Sequence, residues 1–256
     1  MVRSHSYKPP SIRFAWLCDK GLVRTVNEDA LLVQKRSGVL SESYETGASD
    51  VELSSDPLFL GVADDCGGGD HEDYIGKDIL RCIAGAVFST ESPRTGVELR
   101  EIIQDAIRYQ HDESNRRAGR RAMGATLTAA LVDDRQATIA QVGDTRCYLY
   151  RSGKLWRVTM DQSLAAQLIR SGQITAEEAQ PHLQSSISVS TLSLCDLDWL
   201  LLLTDGIWKR VGGELIEETV REANSPLAVV TRLKSQAIAN GGHDNLSVIV
   251  AQVSIP

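Results

Sequence analysis

The stretch "LFLGVADDCGGGD", Leu58 to Asp70, joins an apolar run to two adjacent carboxylates, a cysteine and three glycines. The apolar part is typical of a β-strand, and the glycines are typical of a tight turn. Two carboxylates at the end of a strand allow two interpretations, an ordinary surface turn or one part of a metal site. The rest of the chain has to decide between them.

Length and charge place the chain among ordinary globular proteins. It has 256 residues, enough for one large or two small domains, and a formal net charge of -7, which argues against a dedicated nucleic-acid binder. The five cysteines lack CxxC spacing, so neither a disulfide framework nor a zinc knuckle is expected. The N-terminus has no apolar signal segment, and the longest apolar run, Trp199 to Leu203, is too short to cross a membrane. We expect a cytoplasmic protein that does not bind membranes.

Strand-like and helix-like segments occur in separate blocks. Helical spacing covers about 71–117, where two helices are predicted, and about 214–239, where "NSP" interrupts it. Nine segments have the apolar pattern of strands: "IRFAWLC", "DALLVQ", "LFLGVAD", "ATLTAALV", "ATIAQVGD", "RCYLYR", "KLWRVT", "DWLLLLTD" and "NLSVIVAQV". Blocks of this kind favour an α+β domain over an alternating parallel fold.

Two segments interrupt this pattern. Lys35 to Asp56 is polar and Ser-rich without a clear period, and we predict a long hairpin loop there. Thr175 and Glu178 form a capping box, which predicts a short helix within a small insertion at about 161–190.

Four aspartates share one layout, in which a carboxylate lies at or just beyond the end of an apolar strand. They are Asp29, Asp64, Asp205 and Asp244. Asp-Gly and Asp-Asn are ordinary turn residues, so any one of these positions alone favours a turn. Mg²⁺ and Mn²⁺ prefer oxygen ligands, and carboxylates at neighbouring strand ends supply them from a rigid scaffold. The four together favour a metal site.

Eight segments of the chain follow one another in the order of a known family's motifs. They are "GLVRTVNEDA", "VADDCGG", "MGATLTAALV", "QVGDTRCYLYRSGKL", "VTMDQSL", "SGQITAEEA", "LLLTDGIW" and "GGHDNLSVIV". In these segments the chain resembles the PPM, or type-2C, metal-dependent serine/threonine protein phosphatases of bacteria. The resemblance implies a four-layer α-β-β-α sandwich, two antiparallel sheets flanked by helices, in a single catalytic domain over residues 1–256.

The resemblance also implies a mechanism and a set of metal ligands. Phosphoserine and phosphothreonine would be hydrolysed by a hydroxide that bridges two Mn²⁺ or Mg²⁺ ions about 3.5–4 Å apart. Asp64 would bridge the ions and is therefore the central catalytic carboxylate, with the backbone carbonyl of Asp65 as a further ligand. Asp205 and Asp244 would complete the two-metal site.

Three more residues receive roles from the same resemblance. Glu28 and Asp29 look like an acidic pair that acts mainly through metal-bound water. Arg24 looks like the guanidinium that holds the substrate phosphate, a role that suits its planar fork of donors. Without the motif, Arg24 would be interpreted as a surface arginine.

The chain departs from the family pattern at four positions. Asp65 and Cys66 stand where glycine and then histidine or methionine are usual, and the Asp65 side chain adds a negative charge close to the ions. Many bacterial members bind a third ion through two aspartates, but this chain has Arg121 and Lys209 there. We therefore predict that the third ion is absent. The two cations either replace its positive charge or are solvated surface residues.

The sequence thus predicts a monomeric phosphatase that acts on phosphorylated proteins, namely a serine/threonine kinase or its targets. Two alternatives stay open. One is a catalytically weak or inactive relative that binds phosphoproteins without turnover, and the other is a phosphatase of small molecules.

Overall fold

The computed structural model describes residues 9–42, 46–53, 56–66, 75–89, 96–117, 124–162, 173 and 187–256. Most of the predicted insertion at about 161–190, including its capping box of Thr175 and Glu178, lies outside these residues. Arg121 lies outside them as well.

Twelve strands form two antiparallel sheets of six strands each within the described part of the chain. The first sheet has the spatial order β4 (Gly47–Glu52), β1 (Ser11–Asp19), β12 (Leu246–Ser254), β11 (Trp199–Leu203), β8 (Arg146–Arg151) and β9 (Lys154–Arg157). The second has the order β10 (Ser188–Ser193), β7 (Gln136–Val142), β6 (Gly124–Asp133), β5 (Leu58–Cys66), β2 (Asp29–Lys35) and β3 (Gly38–Glu42).

The helices cover the outer faces of the two sheets. Those in the described ranges are α1 (Ile75–Phe88), α2 (Gly96–Arg117), α3 (Asp205–Val211), α4 (Gly213–Glu222) and α5 (Pro226–Ala239). Buried residues of α1 and α2 share a hydrophobic cluster with the second sheet, and those of α3 to α5 share one with the first sheet. Among the described residues, no helix has the length and apolar character needed to span a bilayer.

Strand β11 shows how the sequence builds the central layers. All five residues of "WLLLL" are buried, because side chains of a strand alternate between its two faces and both faces are covered. Leu200 and Leu202 pack between the two sheets, whereas Leu201 and Leu203 pack against the helices of the first sheet. The predicted α+β fold, a four-layer sandwich of two antiparallel sheets flanked by helices, is confirmed.

The nine predicted strands are all present, but β3, β4 and β10 were missed. The prediction of a hairpin loop over Lys35 to Asp56 is wrong, because β3 and β4 lie within it. These three strands all lie at sheet edges, and none of their residues is buried. An edge strand has one neighbour and little burial, so its sequence need not show the apolar alternation of a central strand.

Leu202→Ala is expected to lower the free energy of unfolding by about 2–5 kcal/mol, because it leaves a cavity between the two sheets. The side chain of Leu202 is fully buried. Urea denaturation followed by circular dichroism measures the change. Leu227→Ala, on the exposed side of α5, is the matched control and should change stability by less than about 0.5 kcal/mol. Equal effects of the two substitutions would contradict the assignment of Leu202 to the core.

Candidate metal centre

The predicted acidic residues meet at one end of the sandwich because neighbouring strands run in opposite directions. Strand β2 begins at Asp29, and Asp64 near the end of β5 lies directly opposite it in the antiparallel pair. In the other sheet, Asp205 follows the end of β11 and Asp244 precedes the start of β12, and these strands are also antiparallel neighbours. Two pairs of neighbouring strands therefore bring four carboxylates to the same end of the sandwich.

A fifth carboxylate, that of Asp144, belongs to this cluster and was not predicted. Asp64, Asp144 and Asp205 each offer one carboxylate oxygen, and these three oxygens lie within 4.8 Å of one another. Asp144 follows β7 at the same end of the sandwich and is 4% exposed. Its context, "QVGD", has the strand-end layout of the other four aspartates, so the sequence did contain the signal. The donor set suits a hard divalent cation.

Asp29 is the most deeply buried of the predicted acidic residues that the structure describes, with 2% of its surface exposed. Burial is the main cause that raises the pKa of its carboxyl to about 8, and the nearby charges of Asp205 and Asp244 contribute to that rise. The hydroxyl of Thr204 donates a hydrogen bond of 2.7 Å to Asp29 Oδ2, which opposes that rise. Crowded carboxylates of this kind favour a bound cation, so the residues present fit a divalent metal.

Asn245 fastens the segment that carries Arg24 and Glu28 to the start of β12. Its side-chain nitrogen donates to the carbonyls of Lys20 and Val26, at 2.9 and 3.0 Å. Its side-chain oxygen accepts a 2.8 Å hydrogen bond from the backbone N–H of Glu28. Asn245 is 3% exposed, so these partners replace water. Sequence reasoning missed this residue, since nothing in "HDNLS" reveals a partner more than 200 positions away.

The start of α3 has to approach the same segment closely. A Cβ atom at Gly206 would lie 1.9 Å from the backbone oxygen of Asn245, a distance that no side chain tolerates. Glycine at position 206 therefore lets Asp205 and Asn245 lie side by side. The "DG" that resembles an ordinary turn is required here for backbone packing.

Arg24 lies against two of the predicted ligands. Its Nη2 is 2.8 Å from Asp244 Oδ1, and its Nη1 is 3.4 Å from Glu28 Oε2. The side chain of Arg24 is 46% exposed, so the guanidinium remains open to solvent. The structure thus brings Arg24 together with the acidic cluster. A surface arginine without a role at this site would not need to lie there.

The side chain of Asp65 has a structural role at α1. Its Oδ1 accepts a 2.6 Å hydrogen bond from the backbone N–H of Gly76, in the first turn of that helix. Burial raises the pKa of the Asp65 carboxyl to about 7, while the helix N–H groups lower it. The carboxylate is thus engaged by α1 and joins neither Asp144 nor Asp205. The side chain of Cys66 is outside the described part of the structure.

Lys209 places a positive charge within the acidic cluster. Its Nζ is 2.6 Å from Asp205 Oδ2 and 3.6 Å from Asp144 Oδ2. The neighbouring Trp208 donates from Nε1 to the backbone oxygen of Asp144 at 3.0 Å, which ties α3 to the segment after β7. Lys209 is 44% exposed but paired, and so it is not simply a solvated surface residue.

Comparison with known proteins identifies the family of this chain and agrees with its fold. A family model for protein phosphatase 2C matches residues 77–239, more than half of the chain. The chain is 30% identical to the serine/threonine protein phosphatase PstP of Mycobacterium tuberculosis over 94% of its length, and it spans 45% of that relative. It is 27% identical to the serine/threonine phosphatase stp of Listeria monocytogenes, with 91% of this chain and 93% of the relative covered.

A solved structure extends the comparison to three dimensions. The catalytic domain of PstP in complex with two manganese ions superposes with a TM-score of 0.72 at 26% identity, covering 96% of this chain and all of that one. The chain therefore belongs to the protein phosphatase 2C family. The family match includes Asp144, Asp205 and Lys209, whereas Arg24 and Asp64 lie before the matched span.

Asn245→Ala is expected to lower the free energy of unfolding by about 3 kcal/mol, because it leaves two carbonyls and one N–H without their buried partner. Thermal or urea denaturation measures the loss, and amide hydrogen exchange should accelerate over residues 20–28. Asn240→Ala removes an exposed side chain that makes one hydrogen bond, to the carbonyl of Arg210, and should cost less than about 1 kcal/mol. Unchanged exchange over residues 20–28 in the Asn245 variant would contradict this role.

Proposed function

We propose that this protein is a metal-dependent phosphatase that hydrolyses phosphoserine and phosphothreonine in proteins. Water would replace the serine or threonine oxygen on phosphorus, which releases the free hydroxyl side chain and inorganic phosphate. The observation that carries the proposal is the meeting of Asp64, Asp144 and Asp205 oxygens within 4.8 Å in a member of the protein phosphatase 2C family.

We assign the metal site to Asp64, Asp205, Asp244 and the backbone carbonyl of Asp65, with Glu28 and Asp29 acting through water. To this predicted set we add Asp144, which offers a carboxylate oxygen within 4.8 Å of those of Asp64 and Asp205. The solved PstP catalytic domain holds two manganese ions, which supports two Mn²⁺ or Mg²⁺ ions here. When bound, such ions lower the pKa of a coordinated water and stabilise the charge that develops on the phosphate oxygens. Asp64 is proposed as the central ligand, and its pairing opposite Asp29 in the sheet holds its backbone in place.

Arg24 is the proposed phosphate-binding residue. Its guanidinium is about half exposed and lies beside Asp244 and Glu28. A rotation about the side-chain bonds of Arg24 would therefore present two N–H donors to a phosphate. Cations bound to these carboxylates would weaken their hold on Arg24 and leave it available to the substrate. The hydroxyl of Thr204 would hold the Asp29 carboxylate in one orientation, since it donates a hydrogen bond to Asp29 Oδ2 and accepts one from the backbone N–H of Ser247.

Asp64→Asn is expected to reduce Mn²⁺-dependent hydrolysis of a phosphothreonine peptide at least about a hundredfold, because it removes the charge of the central ligand. Release of inorganic phosphate measures the rate, with EDTA as the metal-free control. Asp105→Asn on α2 is the matched variant, since Asp105 is 75% exposed and remote from the cluster. Its activity should equal that of the wild type.

The same assay separates the alternatives. Lys209, which neutralises part of the acidic cluster, is the observation that favours an inactive phosphoprotein-binding relative. Absence of turnover at every Mn²⁺ concentration, in folded protein that still binds the phosphopeptide, would support that second function. Turnover of an aryl phosphate without turnover of any phosphopeptide would support a small-molecule phosphatase.

We also propose that the chain binds two ions and lacks a third. The ammonium of Lys209 contacts Asp205 and Asp144. It therefore already neutralises part of the negative charge that a third dication would need as its ligands. Arg121, the second cation invoked for this role, is outside the described residues, and its contribution rests on the sequence alone.

Lys209→Asp is expected to raise the number of bound Mn²⁺ ions from two to three, with the third weaker, because it exchanges a cation for an oxygen ligand. Isothermal titration calorimetry and metal analysis after gel filtration measure the stoichiometry. Lys154→Asp, in the exposed β8–β9 hairpin, makes the same change of charge away from the cluster and should leave it at two. Three ions in the wild type would contradict the proposal.

The physiological setting follows from the same reasoning. The curated relatives are named serine/threonine phosphatases, which supports a phosphorylated protein as substrate, with a serine/threonine kinase or its targets as partners. We further propose a monomer in the cytoplasm, where cysteines without CxxC spacing would stay reduced.

A further inference from the structure

Three apolar side chains are exposed within two residues of Arg24. Leu22 is 67% exposed, Val23 is 59% exposed and Val26 is 48% exposed. Single exposed apolar residues are common on protein surfaces and need no explanation. Here, however, three of the ten exposed large apolar residues in the described part of the chain fall within five consecutive positions, around one cation. We call Leu22, Val23 and Val26 the apolar rim.

Hydrogen bonds to the segment around the start of β12 hold the backbone of the apolar rim in place. Leu22 N–H donates to the carbonyl of Gly242 at 2.9 Å, and the carbonyl of Val26 accepts from the side chain of Asn245 at 3.0 Å. Gly21 has φ +77 and its α-carbon packs against the backbone oxygen of Asp244, a contact that no side chain would permit. A loop fixed at both ends cannot turn these side chains inward, so they form a preorganised apolar surface.

The position of the rim determines what it contacts during the proposed reaction. The α-carbons of Leu22 and Val23 lie within about 8 Å of the Arg24 α-carbon, since consecutive α-carbons are about 3.8 Å apart. In an extended peptide, the residues next to a phosphorylated residue are spaced at similar intervals. The residues that flank a phosphate bound at Arg24 would therefore lie within reach of the rim.

We propose that the apolar rim is a specificity site that selects phosphopeptides with apolar residues beside the phosphorylated serine or threonine. This inference rests on the proposed phosphatase function of the same site. Val or Leu side chains of the substrate would bury apolar surface against Leu22 and Val23, whereas serine or a charged residue would gain nothing there. Arg24 holds the phosphate, and the rim selects the residues around it.

The test compares two phosphothreonine peptides that differ only in their flanking residues, Leu and Val in one and Ser in the other. The wild type should favour the apolar peptide about tenfold in kcat/KM, as expected for burial of one or two aliphatic side chains. In the double variant Leu22→Ser, Val23→Ser this ratio should fall to about two or less.

The matched control is the double variant Leu227→Ser, Val39→Ser, which also removes one exposed leucine and one exposed valine. Leu227 lies near the start of α5, at the opposite end of that helix from Gly242, and Val39 pairs with Gln34 at the end of β2 distant from Asp29. This control should keep the tenfold ratio. A wild-type ratio near one, or an unchanged ratio in the rim variant, would overturn the proposal.

The outcome for the rim is separable from that for the phosphatase activity. Turnover of an aryl phosphate with Mn²⁺ reports the activity itself, and a flat peptide ratio in an active enzyme would refute the rim alone. In a protein without turnover, fluorescence anisotropy of the same two labelled peptides measures the preference as a ratio of Kd values. Sedimentation that shows a dimer in the wild type and a monomer in the rim variant would instead assign the rim to self-association.

Discussion

Like-charge repulsion at the acidic end of the sandwich is the constraint on which the rest of the site depends. Asp29 has a pKa raised to about 8 by burial and by Asp205 and Asp244, so bringing these groups together costs free energy. Two features of the chain reduce that cost before any metal binds: the hydroxyl of Thr204 donates to Asp29, and the ammonium of Lys209 pairs with Asp205. Divalent cations would reduce it further, which is why the cluster favours them.

The supporting structure has to resist this repulsion, and it does so through backbone packing and buried hydrogen bonds. Gly206 permits the contact between the start of α3 and the backbone of Asn245. Asn245 in turn fixes the segment that carries Arg24 and Glu28. The same bonds keep the apolar rim at the surface, so one asparagine links the acidic cluster, the proposed phosphate-binding arginine and the proposed specificity surface. The proposed function thus depends on residues that do not themselves touch a substrate.

The elements that could be predicted are those whose buried residues form a continuous or alternating apolar pattern in the sequence. Central strands such as β11 and β12 are covered on both faces, and their apolar runs identified them. The edge strands β3, β4 and β10 contain no buried residue, so no apolar alternation marks them. The short helix α3 was also missed, because its first residues, "DG", have the composition of a turn.

The sequence by itself determined the order of the motifs, and with it the family, the central strands and the aspartates at their ends. Tertiary structure decided which of these residues meet. Asp144 shares the strand-end layout of its neighbours, but only the pairing of strands brings its oxygen within reach of Asp64 and Asp205. Asp65 follows Asp64 directly, yet the position of α1 draws its carboxylate to Gly76. The sequence records the chemistry of each side chain. The distances between groups on different strands and helices depend on how those elements pack, and the local sequence pattern does not contain that information.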